Sequence, residues 1–117
     1  MALLATAGAV LWAGGDVIVP VYVDGKLASM SPAARVRGGT TYAPLRAAAT
    51  AVGATVKWQA ASQTAVVCSG DRCVPIRKDQ GIIVDNQLLV PVRMMGEALA
   101  CQVKWDAGAR AVRIKRP

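Results

Sequence analysis

Residues 38–68 read GGTTYAPLRAAATAVGATVKWQAASQTAVVC, and residues 85–115 read DNQLLVPVRMMGEALACQVKWDAGARAVRIK. Laid over one another without a gap, at an offset of 47, the two stretches agree at Pro44/Pro91, Arg46/Arg93, Ala51/Ala98, Val56/Val103, Lys57/Lys104, Trp58/Trp105 and Ala60/Ala107. A self-match of this length marks one supersecondary unit used twice. The units are expected at about residues 17–68 and 69–115, within one domain over 16–117.

Both units carry the same punctuation. Gly38-Gly39 and Asp85-Asn86 separate two runs of strand-forming residues, and Asp24-Gly25 does so between VIVPVYV and KLA. Such pairs suit a type I′ hairpin turn, whose two central residues need positive φ. Pro44 and Pro91 then fit the start of a helix, where a missing amide hydrogen is not needed. Leu45, Ala48, Ala49 and Val52 form one apolar stripe, and Val92, Met95, Gly96 and Leu99 form the other. Helices of about ten residues are expected. Gly53 suits a left-handed helix exit. Ala100 stands in its place in the second unit, so a different exit is expected there.

Each helix is followed by a strand, TVKWQ or QVKWD, a short turn and a returning strand, TAVV or AVRIK. Alternation puts Val56 with Trp58, and Val103 with Trp105, on one face, with Lys57 and Lys104 on the other. Trp58 and Trp105 are therefore expected in the core. The fold class that follows is α+β: two tandem repeats of antiparallel β-hairpins, with one short helix each packed on the sheet.

Composition narrows the chemistry. The chain has 117 residues, 54% of them hydrophobic, and carries a net charge of +7, which argues against low-hydrophobicity disorder. It has no His. Ser-His-Asp and Cys-His nucleophiles and His-ligated zinc or copper are thereby excluded. Glu97 is the lone Glu and the Asp residues fall mainly beside turns, so a carboxylate pair for glycoside hydrolysis has no positive support. No catalytic residue, cofactor or metal is expected, and the chain is read as a non-enzyme.

Several residues remain as candidates for contacts. Arg46 and Arg93 lie in the first turn of their helices, where a cation is disfavoured by about 0.3–1 kcal/mol. Each either bonds loop carbonyls or an acidic side chain, or meets an anion on a partner. Lys57, Lys104, Arg113 and Lys115, with Arg110 in the turn, form a basic strip. It either guards strand edges or attracts anionic wall polymers, lipid head groups or nucleic acid. Specific nucleic-acid binding is not expected, because no recognised motif is present and the aromatics read as buried. Cys68 and Cys73 flank Ser69-Gly70-Asp71-Arg72, and opposed hairpin positions have the separation a disulfide needs. Cys101 is left over and reads as a small buried hydrophobe.

Taken in order, VYVDGK, then the APLR helix start with VKWQ, then VPVR with VKWD and a final VRI strand resemble the copper amine oxidase N-terminal-like domain, or stalk domain, in two copies over about residues 17–115. The resemblance implies a non-catalytic spacer or adhesion unit of bacterial surface and secreted proteins, with the oxidase copper in a different domain. Met1–Gly15 are apolar, shorter than the roughly 20 residues a spanning helix needs, and read as the core of a secretory signal without its basic flank. The expectation is thus a secreted or cell-surface structural or binding module with no transmembrane span. One alternative is a homo-oligomeric subunit of a self-assembling extracellular filament or surface polymer. Another is a binder of anionic cell-wall polymer through the basic hairpin face.

Overall fold

The structure is a computed structural model, and it describes residues 15–116. The expectation of a leader over residues 1–15 lies, apart from Gly15, outside the described residues. The chain runs through β1 (Val17–Ile18), β2 (Val21–Val23), β3 (Lys26–Ala28), β4 (Arg35–Arg37), β5 (Thr40–Pro44), α1 (Leu45–Ala51), β6 (Thr55–Gln59), β7 (Thr64–Ser69) and β8 (Arg72–Arg77). After a 3-10 turn at Lys78–Gln80 come β9 (Ile82–Val84), β10 (Gln87–Pro91), α2 (Val92–Leu99), β11 (Gln102–Asp106) and β12 (Ala111–Lys115). The fold class is α+β. Elements β4, β5, α1, β6 and β7 each begin 47 residues before β9, β10, α2, β11 and β12.

Among the described residues the strands form three sheets, in the orders β9-β10-β5-β4-β1, β11-β12-β2-β3 and β6-β7-β8. The hairpin turns take the backbone their residues favour. Positive φ occurs at both central positions of Asp24-Gly25, Gly38-Gly39 and Asp85-Asn86. The two units join along β5 and β10, which pair antiparallel. One pairing departs from the expected antiparallel hairpins: β12 pairs with β2 in parallel. The free edge of β7 is covered by β8, which returns directly through a turn. The edge of β12 is instead covered by β2, brought from the start of the chain with its own hairpin mate β3.

The helices are seven and eight residues long, shorter than expected, and each buries three of the four predicted stripe residues, Val52 (just past the end of α1) and Val92 being half-buried. Leu45, Ala48 and Ala49 from α1 and Met95, Gly96 and Leu99 from α2 meet Val21, Val67, Val90, Val112 and Ile114 of the sheets in one core. Small residues allow a close approach. A Cβ added at Gly96 would lie 2.7 Å from Val103 Cγ2.

The helix exits correct the sequence reading. Gly53 has φ +82°, and Ala100, expected to leave differently, is left-handed too at φ 57°, ψ 38°. The Ala54 amide donates to the Ala49 carbonyl at 2.8 Å, and the Cys101 amide to the Gly96 carbonyl at 2.9 Å, so both helices close with the same six-residue bond. Tertiary demand for the following strand overrides the steric preference of alanine.

The tryptophans give a second correction. Trp58 and Trp105 are not core residues, being 43% and 47% exposed. Alternation does place them on the inner side, opposite buried Ala65 and Val112. However, among the described residues β6 and β11 are edge strands, and α2 rests on Val103, two residues before Trp105 and about 7 Å short of it. The period of a strand sets a side chain's face, not what lies over it.

Candidate functional site

Three surfaces gather the candidate residues. The first is a cleft of about 370 Å³ between α1 and the β9–β10 hairpin. Trp58, Val56 and Arg46 form one wall, and Asn86, Gln87 and Leu88 form the other. Arg46 lies on the surface at the start of α1 and donates from Nη1 to the Val56 carbonyl at 3.4 Å, which holds it along β6 beside Trp58. The acceptor is a strand carbonyl of the same unit, where the sequence reading expected a loop carbonyl, an acidic side chain or an anion on a partner.

The second cleft repeats the first in the other unit. Arg93, Val103 and Trp105 form its wall, facing Gly39, Thr40 and Thr41. Each facing residue is the 47-residue counterpart of Asn86, Gln87 or Leu88. Both clefts are therefore built from one unit's helix start and edge strand against the other unit's hairpin turn. Their chemistry differs. The first holds Lys78 as a second cation, whereas the second holds Glu97 beside Arg93.

The third surface is the outer face of β11-β12-β2-β3. Lys104 lies opposite Arg113, and Gln102 opposite Lys115, so Lys104, Arg113 and Lys115 border one hollow of about 470 Å³. Arg113 Nε donates to Asp106 Oδ2 at 2.7 Å, and its guanidinium stands 4.8 Å from the Tyr22 ring centroid. The Arg113 hydrogen bond holds the Asp106 carboxyl below its usual range, and hydrogen bonds from Arg116 do the same for Asp24 at the hollow's rim. One member of the expected strip is elsewhere: Lys57 sits on β6 in the three-stranded sheet, opposite Val66. Arg110 occupies the β11–β12 turn, where the sequence placed it, at φ 53°.

Cys68 and Cys73 lie directly opposite one another in the β7–β8 hairpin and form a disulfide, with Cα atoms 4.1 Å apart. Cys101 is a free thiol, half-buried, that donates to the Leu99 carbonyl at 3.4 Å. Burial pushes its pKa up.

One cluster was missed in the sequence. Asp16 Oδ1 accepts from Arg37 Nε at 2.7 Å, while Oδ2 accepts from Arg37 Nη2 at 2.8 Å and Arg35 Nη1 at 3.2 Å. The Arg37 hydrogen bond is the main cause that lowers the Asp16 carboxyl to about 2. The available signal was Arg35 and Arg37 at a spacing of two, which puts both on one strand face where one carboxylate can bridge them.

The fold and these surfaces define a module built from a repeated α+β unit, with its candidate residues on open clefts and a sheet face. The chain belongs to the copper amine oxidase N-terminal domain family, whose model matches it twice, over residues 22–81 and 73–116. No curated protein and no solved structure matches the chain. The residues do not fit the metal in the family's description. Copper in an amine oxidase takes imidazole ligands, the chain has no His, and among the described residues no three Cys, Asp or Glu come together to hold a metal. Among the described residues no helix is long and apolar enough to cross a membrane.

Proposed function

We propose that the chain is a non-catalytic, exported structural or binding module of the bacterial cell envelope. The observation that carries this reading is the Cys68–Cys73 disulfide. Such bonds persist in oxidising compartments and are rare in a reducing cytosol. Family membership supports the same conclusion, as does the lack of any imidazole for acid–base or metal chemistry. Cell fractionation followed by non-reducing peptide mapping tests it. The protein is expected outside the cytoplasmic membrane with Cys68 bridged to Cys73. A cytoplasmic protein with both thiols reduced would overturn the reading.

A second reading, attachment to an anionic wall polymer, is favoured by the convergence of Lys104, Arg113 and Lys115 on one hollow. Co-sedimentation with purified anionic wall material should weaken as salt rises, because exposed charges are screened within about 10 Å at 0.1 M salt. It should weaken again in a Lys104→Glu/Lys115→Glu double variant. Binding that neither change moves would rule this reading out. The filament alternative leans on residues 1–15, of which only Gly15 is described.

A further inference from the structure

We infer that the cleft between α1 and the β9–β10 hairpin is a binding site for a carboxylate-bearing sugar ring of an acidic polysaccharide. It lies on a different surface from the Lys104–Lys115 hollow and uses different chemistry.

The cleft leaves two large apolar side chains open to water. Trp58 is 43% exposed on one side and Ile83 is 45% exposed on another. Two large apolar side chains held open to water cost free energy that a ligand with its own apolar face can recover. An aromatic ring also offers a flat surface with a negative face. The C–H face of a pyranose is weakly positive and flat, so it stacks there.

Polar groups around the rim set the rest of the ligand. Arg46 and Lys78 line the cleft, and among the described residues no Asp or Glu does. An anion is therefore favoured, and a guanidinium meets a carboxylate with two parallel hydrogen bonds. Asn86 and Gln87 add amides, which can both donate to and accept from hydroxyl groups. Asn86 is fixed in the left-handed half of a tight turn, and Arg46 is tethered to the Val56 carbonyl, so the two walls are set before any ligand arrives. The volume of about 370 Å³ falls in the range of small-ligand sites. An acidic peptide would satisfy Arg46 and Lys78 but would bring no flat C–H face to Trp58. A neutral sugar would stack but would leave the cations unused.

The second cleft is an internal control. It has the same Trp and Arg, but Glu97 lines it and nothing there corresponds to Lys78. It should discriminate against the same anion.

The test is an NMR titration of indole N–H signals in the intact chain with an oligogalacturonate. The Trp58 signal should shift in a saturable way while that of Trp105 stays in place. Arg46→Gln should weaken binding about tenfold or more, the loss expected for one charged hydrogen-bonding partner. Trp58→Ala should weaken it several-fold, with the unfolding midpoint checked to show that the exposed positions leave the fold intact. Lys104→Glu/Lys115→Glu should leave this binding in place, which separates it from wall attachment through the other face. Equal shifts of Trp105, equal binding of a neutral gluco-oligosaccharide, equal binding of an oligoglutamate, or no shift at Trp58 would each overturn the inference.

Discussion

Ala43 pairs with Val90 across the five-stranded sheet, and the two residues are 47 positions apart in a chain whose repeat offset is 47. A position thus meets its own counterpart. On either side the partners exchange, Tyr42 with Pro91 and Pro44 with Leu89, as they do across a two-fold axis. The contact between the units has the self-complementary form of a symmetric dimer interface, here within one chain. It also explains the paired clefts. Whatever one unit's hairpin turn presents to the other's helix start must be presented in return.

Ala100→Gly should stabilise the protein by about 0.5–1 kcal/mol. Ala100 holds a left-handed conformation that costs an L-residue roughly 1–2 kcal/mol, while glycine adds some freedom to the unfolded chain. Denaturant unfolding should show a higher midpoint at constant slope. A lower midpoint would mean that the alanine methyl contributes more by contact than its backbone costs.

Gly96→Ala should destabilise by about 1–2 kcal/mol despite the better helix propensity of alanine. The new Cβ would fall 2.7 Å from Val103 Cγ2 and 3.2 Å from the Cys101 carbonyl oxygen, in a branched side chain and a backbone that give little. A double variant that adds Val103→Ala should recover some of the loss.

Removing the disulfide by Cys68→Ala/Cys73→Ala should lower stability by about 2 kcal/mol, the chain-entropy value for so short a loop. Reductant should then lower the midpoint of the parent protein to about that of the variant. It should leave the variant itself unmoved.

Asp16 should make the β1–β4 pairing sensitive to acid. Its carboxyl is depressed from 3.8 to about 2, so the ionised form is favoured in the folded state. The contribution is complete above about 3.8 and is lost as pH falls towards 2. Asp16→Asn should therefore be less stable than the parent at neutral pH, with the gap narrowing below 3.8 and closing near 2. A gap that persists at the acid end would assign the effect to packing rather than charge.

Cys101 should react slowly with alkylating reagents at neutral pH. Burial raises its pKa, and only the thiolate attacks. The rate should rise when the protein is unfolded in denaturant, and a native rate matching a free thiol would contradict the placement of Cys101.

The paired units, the three positive-φ turns and the helix stripes were legible because each depends on local residue chemistry: a Gly or Asn where φ must be positive, a Pro at a helix start, apolar residues at helical spacing. The disulfide was legible for the same reason, since a two-residue turn at Gly70-Asp71 sets Cys68 directly opposite Cys73. What was not legible depended on which elements meet at a distance. Nothing local says that β2 lies beside β12, or that α2 stops over Val103 and leaves Trp105 open. Lys57 shares its sequence context with Lys104, but the sheet beneath it has a different third strand. Ala100 shows the reverse failure, with a local preference read correctly and then overruled by the path the next strand must take.

The parallel docking of β2 against β12 has a mechanical meaning. The two strands point the same way, so chain entering β2 and chain leaving β12 depart from opposite ends of the pair. Tension between those two exits would run along the strands. It would load the Val112 amide to Pro20 carbonyl bond, the Asp24 amide to Ile114 carbonyl bond and those between them at the same moment, in shear. Had the pairing been antiparallel, both exits would share one end and the bonds would break singly in succession, like a zipper.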